Sequence, residues 1–320
     1  MRTLVSVLLP VYQTERYIGQ AIESVLNQSL KDWELVVSDN ASTDRTVEVI
    51  AGYRDPRIRL IRQPRNLGMV ANWAFLLGEG GGELGCVLGA DDVWEPTHLE
   101  RKVNLLSKHP EALFVHSDVN FIDSSGAFVR LFKTGYGEQT SSRDFLERTF
   151  LENRVNPSAT VFRLARCKEL GLGFDLRYSL LMDWHFWLLL ALHSEKVLAD
   201  SEPTARYRQH AAAGTEQFRH GWRWTHEYYL LRSDLLLEHE AQWRKLGFDV
   251  EQMHRDLLQA LWPFALKQLR QGRMKEFRES WRLYRRANSP LDALLQLPAY
   301  LLGVAARLAK GRAPAGKGGA

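Results

Sequence analysis

The chain has 320 residues, 45% of them apolar and 25% charged, enough for one large domain or a domain with an appended unit. A formal charge of +4 is too small to argue for a nucleic-acid partner. Two cysteines, Cys86 and Cys167, exclude a disulfide framework and a paired-cysteine metal motif, and fit a reducing compartment.

The opening apolar run is short for a signal peptide and is broken by Pro10; residues 4–12 read as a strand buried on both faces. Ile18, Ala21, Ile22, Val25 and Leu26 then fall on one helical face. Residues 33–40 read as a second strand, and Ser42 and Asp44 as start signals of the next helix. A short strand over 57–62, a turn into a helix over 66–79 and a strand over 84–92 follow. Residues 94–109 read as a helix with Pro96 near its start. This alternation predicts an α/β fold: a mostly parallel sheet with helices on both faces, binding ligands outside the carboxyl ends of its strands.

From 113 the pattern mixes. Two strands flank the turn at 123–126, and a short amphipathic helix covers 142–153. A strand covers 158–163, and an apolar helix over 182–195 is entered at Asp183. From 216 the chain reads as mostly helical, with a low-complexity, disordered tail at 310–320. No run approaches the ~20 apolar residues that span a bilayer. The nearest, 291–309, contains Asp292, Gln296, Pro298 and Arg307. A soluble or membrane-peripheral protein is expected.

The stretch VLGADDVWEP (87–96) ends an apolar run on two adjacent carboxylates, Asp91 and Asp92. Like charges this close need a cation or hydrogen-bond donors to hold them. They suit a divalent metal that in turn holds a diphosphate, or form a solvated turn with one Asp capping the following helix. Asp39 ends another apolar strand and can accept hydrogen bonds from a base or ribose, or make an Asx turn beside an N-cap at Ser42. Asp183 is a general base or a first-turn acid favouring the helix dipole, with His185 a second candidate. Period two puts Arg206, Arg208 and His210 on one strand face, which can meet a phosphate or lie solvated at a sheet edge. Trp94 stacks on a sugar or packs.

Four stretches together, VSVLLPVYQTERYIGQAIESVLNQSLKDWELVVSDNASTD, NLGMVANW, GADDVWEP and MDWHFW, resemble family 2 of the nucleotide-sugar glycosyltransferases over about residues 4–210. The resemblance implies the Rossmann-like GT-A fold with a helical C-terminal region. It divides the chain into a catalytic domain over 1–215, helices over 216–309 and the tail over 310–320. Within the first, 1–112 would be the nucleotide-binding half and 113–215 the acceptor-binding half. It implies an inverting transfer from a nucleotide-diphosphate sugar to an acceptor hydroxyl, in the synthesis of a bacterial cell-surface polysaccharide, O-antigen or lipopolysaccharide. Pro10, Val11, Tyr12 and Glu15 would line the nucleotide pocket, with Asp39 on the base and Asn66, Gly68 and Asn72 near nucleotide and sugar. Asp91 would lie towards the ribose. Asp92 would hold Mn²⁺ or Mg²⁺ with His210 near it, and Asp183 would be the general base. Three departures stand out: Gly89 where many members have a further Asp, Asn40 where many have a second acid, and Met182 where a Glu often precedes the base.

The implied partners are the sugar nucleotide and a saccharide or lipid-linked saccharide, with no nucleic acid. The implied place is the cytoplasm, or the inner face of the cell membrane. Membrane contact through 270–309 rests on Arg270, Arg273, Lys275, Arg278, Arg282, Arg285 and Arg286 ahead of the apolar stretch. An ordinary packed helix pair is the alternative there. Two other functions compete: a nucleotidyltransferase, disfavoured because PVYQTERY has no glycine before Gly19, and a non-catalytic carbohydrate-binding or scaffold protein, disfavoured by the intact acids.

Overall fold

The computed structural model describes residues 3–210 and 222–286, so the 291–309 stretch and the 310–320 tail lie outside the described residues. The apolar N-terminal run becomes the middle of a sheet. β1 (Val5–Val11) pairs in parallel with β2 (Trp33–Asp39) on one side and β4 (Leu84–Val87) on the other. β3 (Ile58–Arg62) extends β2 in parallel. β9 (Val161–Phe162) is antiparallel to both β4 and β6 (Phe114–Ile122) and lies between them. β10 (Lys196–Arg208) runs parallel to β6 and carries the short β5 (Val93–Trp94) on its far side. The sheet is a mixed one whose longer pairings are parallel, in the order β3-β2-β1-β4-β9-β6-β10-β5. β7 (Phe128–Phe132) forms a hairpin with β6, and β8 (Gln139–Ser141) pairs with β10.

Strand alternation buries both faces. Val5, Val7, Leu9 and Val11 share one core with Ile18, Ala21, Ile22 and Val25 of α1 (Ile18–Leu26) and Leu99 and Leu106 of α4 (His98–Lys108). On the other face Ser38 bonds Asn72 of α3 (Met69–Glu79), and Phe162 meets Phe186 of α7 (Met182–Leu192) edge-on. α7 is buried almost all round, which is why it shows no polar face in sequence. α2 (Thr46–Ala51), α5 (Ser142–Thr149) and α6 (Leu164–Glu169) complete this part.

Several boundaries differ from expectation. β4 stops at Val87, and the acids occupy the turn after it, where the Asp92 N–H closes on Gly89 O. α2 starts at Thr46 because Ser42 and Asp44 spend their side chains on Gln13 N–H, Glu15 N–H and Thr46 N–H instead of capping at 42. Residues 157–159 form a 3₁₀ turn, leaving only two residues to β9. The 205–208 stretch is interior to the sheet rather than at its edge, so its arginines are not a free solvated face.

The described chain divides into two compact units, residues 1–227 with 245–247, and residues 228–244 with those from 248 onward. α8 (Trp222–Glu238) contributes to both, and α9 (Glu240–Lys245), α10 (Val250–Arg270) and α11 (Met274–Arg286) follow. The second unit has its own core of Leu258, Leu261, Trp262, Ala265, Leu283 and Tyr284.

Candidate active site

The acidic pair splits into an inner and an outer carboxylate. Asp92 is 2% exposed. One of its oxygens accepts the Ser158 hydroxyl, and the other accepts the Arg208 N–H at 2.9 Å. Burial first, and the Asp91 charge second, push Asp92 up to about 8. Asp91 faces outward with 29% of its side chain exposed, and its Oδ2 lies 2.8 Å from His210 Nε2. The Arg208 guanidinium is buried beneath the pair. It donates to the Asp91 carbonyl, the Asp123 carbonyl and Gln20 Oε1, and lies 4.7 Å from the centre of the Tyr17 ring. The protein therefore supplies two donors and a cation of its own to the inner acid. Arg208 is spent on these bonds and Arg206 on Glu95, so the expected phosphate-facing row reduces to His210.

The loops after β1 and β2 are laced together. Gln13 Oε1 accepts the Thr43 and Asp44 N–H groups, and the Gln13 N–H donates to Ser42 Oγ. Gln13 (φ 54°) and Ala41 (φ 63°) both adopt the left-handed region, a strain that persists because these bonds hold it. Glu15 accepts the Arg45 N–H, so its carboxylate shapes the loop. Pro10 and Val11 end β1, Val11 is buried, and Tyr12 is exposed just beyond. Asp39 is fully buried and accepts the Ser42 N–H, the Asx turn of the plainer reading, with Arg62 Nε 4.0 Å away. Asn72 is likewise buried, bonded to the Ser38 hydroxyl and carbonyl. Asn66 Oδ1 accepts from Asn40 Nδ2 and from the Gly68 N–H, and Gly68 takes φ 85° at the start of α3. Tyr12, Asn66 and Gly68 thus border the strand ends, while Asp39 and Asn72 support them from within.

Asp183 lies half-buried in the first turn of α7. Burial raises it to about 6, offset by the Trp184 N–H and by Asn153 Nδ2, 3.2 Å from its Oδ2. His185 is buried and packs on Tyr178 at 4.8 Å. Trp94 is buried, stacked on His98 and donating to the Ser158 carbonyl, so it packs rather than meeting a sugar. Sequence reasoning missed four site residues: Gln13, Asn153, Ser158 and, in its supporting role, Arg208. Only the asparagine-rich NRVNPSAT (153–160) carried a local signal, as turn chemistry.

Residues 6–165 match the description of glycosyl transferase family 2. The chain belongs to that family. Over 212 residues this family 2 glycosyltransferase is 29% identical to an uncharacterized glycosyltransferase of Methanocaldococcus jannaschii, covering 65% of this chain and 71% of that one. Over 138 residues it is 30% identical to the Escherichia coli UDP-Glc:alpha-D-GlcNAc-diphosphoundecaprenol beta-1,3-glucosyltransferase WfgD, covering 42% of this chain and 54% of that one. It therefore spans about half the length of the latter relative. Staphylococcus aureus TarS 1–349, solved with UDP-GlcNAc, superposes with a TM-score of 0.61 at 16% identity, covering 89% of this chain and 92% of that one. The mannosyltransferase PcManGT of Pyrobaculum calidifontis, solved with GDP-Man and Mn²⁺, superposes at 0.51 with 19% identity, covering 97% and 81%. The fold is GT-A.

Within this glycosyltransferase two departures have a local cause. A Cβ at Gly89 would lie 2.6 Å from Asp92 Oδ2, so the space of a side chain at 89 is taken by the inner carboxylate. Asn40 donates to Asn66 Oδ1 and Gly68 O while its Oδ1 accepts the Leu67 N–H. An acid there would keep the acceptance and lose both donations.

Proposed function

We propose that this chain transfers a glycosyl group from a nucleotide-diphosphate sugar to an acceptor hydroxyl with inversion, Asp183 taking the acceptor proton. The observation that carries the reading is that one short segment touches both acidic centres. Asn153 donates to Asp183, and Ser158 donates to Asp92. Five residues reach at most about 18 Å. Base and donor-phosphate acids are therefore held by a common strap at the strand ends. An acid held at about 6 is ionised at neutral pH yet accepts a proton readily. Tyr12, Asn66 and Gly68 would line the nucleotide side, with Pro10, Val11, Glu15, Asp39 and Asn72 shaping its walls.

The outer pair fits a divalent cation such as Mn²⁺ or Mg²⁺. Asp91 and His210 are partly exposed and bond each other at 2.8 Å, a contact a cation would replace. Asp92, expected as the metal ligand with Asp91 towards the ribose, has both oxygens engaged behind them, so the ligand role is proposed for Asp91 instead. Among the described residues no cluster of three or more His, Cys, Asp or Glu could hold a metal. The protein would give two donors and the donor's diphosphate the rest. A bound ion would offset charge on the leaving diphosphate. A saccharide carried on a lipid diphosphate, the acceptor in the name of the E. coli relative, is the proposed acceptor class. Peripheral contact with the inner membrane face suits it, no described helix being long and apolar enough to cross a membrane.

Calorimetric titration of UDP, GDP and dTDP with and without Mn²⁺ tests this, together with turnover of the sugar nucleotide that binds. The expected result is metal-dependent binding of one nucleotide, lost in Asp91→Ala. Asp183→Asn is expected to keep that binding and lose turnover. Binding of none by the folded protein would favour the carbohydrate-binding alternative. Undiminished turnover by Asp183→Asn would overturn the base.

A further inference from the structure

We propose that Asn153 is a positioning residue for the proposed base, orienting the Asp183 carboxylate towards the acceptor and keeping it ionised; the inference rests on the reading of Asp183 above. The Asn153 amide has a fixed sense. Its Oδ1 accepts the Val155 N–H at 3.1 Å, which leaves Nδ2 as the edge facing Asp183 Oδ2 at 3.2 Å. The opposite amide orientation would set N–H against N–H and oxygen against carboxylate. Asn153 is the one side chain hydrogen-bonded to Asp183 among the described residues. It holds one carboxylate oxygen from the side-chain direction, beside the main-chain donor Trp184 N–H.

The frame around this contact is stiff. Trp184, next to the base, donates its indole N–H to the Thr149 carbonyl at 2.7 Å. Thr149 in turn meets the Tyr136 hydroxyl at 2.6 Å. The start of α7 is thereby pinned to the end of α5, four residues before Asn153. Charged groups on neighbouring elements have other partners. Arg154 Nε lies 3.5 Å from Glu152 as an ion pair without a hydrogen bond, Arg177 pairs with Asp175 at 2.6 Å, and Arg223 lies 3.7 Å from Glu227. Arg148 donates to the Gly135 carbonyl, and His185 packs on Tyr178. The neutral amide is left as the side-chain donor that favours the ionised base against burial.

A hydrogen bond to a carboxylate favours its charged form, so losing this donor raises the proton affinity of Asp183. The test is a ¹³C NMR titration of aspartate-labelled full-length protein. The Asp183 carboxyl signal is the one missing from Asp183→Asn. In Asn153→Ala its midpoint is expected to rise by roughly half to one pH unit. In the near-isosteric Asn153→Asp, with two acids face to face, it is expected to rise further. UDP release from UDP-GlcNAc in Mn²⁺, with water as acceptor, should lose its acid limb at correspondingly higher pH and recover above it. A midpoint unmoved in both variants would overturn the inference and reduce Asn153 to loop structure. Midpoints that move while Asp183→Asn keeps full UDP release would leave the contact intact and sink the base reading instead.

Discussion

Asp92 carries a cost that depends on pH. Its folded-state affinity for a proton, about 8 against an ordinary 3.8, stands well above that of the unfolded chain. Between about pH 4 and 8 the native state binds more of this proton than the unfolded one, so ionising Asp92 subtracts stability as pH rises through that window. Asp92→Asn keeps an acceptor for the Arg208 N–H and removes the ionisation. The Tm difference, variant minus wild type, is expected to grow from pH 4 to pH 8. A flat difference would mean that another group carries the pH dependence. Ser158→Ala strips one donor from the same buried carboxylate and an acceptor from the Gly89 N–H. A loss of about 1–3 kcal/mol in urea unfolding is expected, and a change within error would show the hydroxyl to be replaceable. The electrostatic problem at this pair was legible in the sequence, but its solution was not. The serine comes from 66 residues away and the arginine main chain from 116, separations that no local pattern records. The same limit hid Asn153, 30 residues from the acid it serves.

Among the elements, α4 shows what periodicity reads and what it misses. A helix was expected over 94–109; it begins at His98, Trp94 being part of β5, and Leu99 and Leu106 do face the core. Lys102 lies on that same inward face, fully buried, its Nζ donating to Ser117 Oγ and Thr204 Oγ1. A lysine reads as solvated in sequence because the two hydroxyls that accept from it sit on β6 and β10. Burial lowers Lys102 to about 7 against the pull of Asp200, and the Arg101 charge adds to the lowering. His98, His116 and Cys86 complete its titratable surroundings, and burial holds both imidazoles neutral by lowering them. For a cation lowered on folding, the cost of burying charge is full below about pH 7. It fades as pH rises towards the ordinary 10.5. Lys102→Met replaces the charge with an unbranched apolar chain of similar length. Its Tm is expected to exceed wild type at pH 6, with the advantage shrinking towards pH 10. An advantage that is constant across pH would place the gain in packing rather than in the charge. The α2 boundary shifted for a related reason: Ser42 is a good capping residue but serves the neighbouring loop of β1, while Asp44 bonds both that loop and the Thr46 N–H at the helix start.

On the scale of the whole molecule, the sequence read as an alternating strand-and-helix part up to 215 and a mostly helical part from 216, whereas the compact units divide at 227/228, inside α8. The proposed membrane contact belongs to the second unit and depends on which of its faces remains unoccupied. Leu283 and Tyr284 of α11 are already in the core with Trp262 and Leu258 of α10. The apolar side of α11 is therefore used internally, and what it presents outward is charge. Lys275, Arg278 and Arg282 fall at i, i+3 and i+7 and are exposed, with Lys267, Arg270 and Arg273 exposed just before them. Attraction through this face would be electrostatic, worth roughly 1 kcal/mol per basic residue near an anionic surface. The full chain is expected to sediment with phosphatidylglycerol-containing vesicles at low salt. It should release at high salt, where the Debye length falls to about 3 Å near 1 M, and should ignore pure phosphatidylcholine. Reversing three charges, Lys275→Glu, Arg278→Glu and Arg282→Glu, should weaken binding at least roughly a hundredfold, since three such attractions are removed. Salt-insensitive binding that survives the triple change would assign membrane contact to apolar insertion elsewhere in the chain, and this helix face would then be an ordinary solvated one.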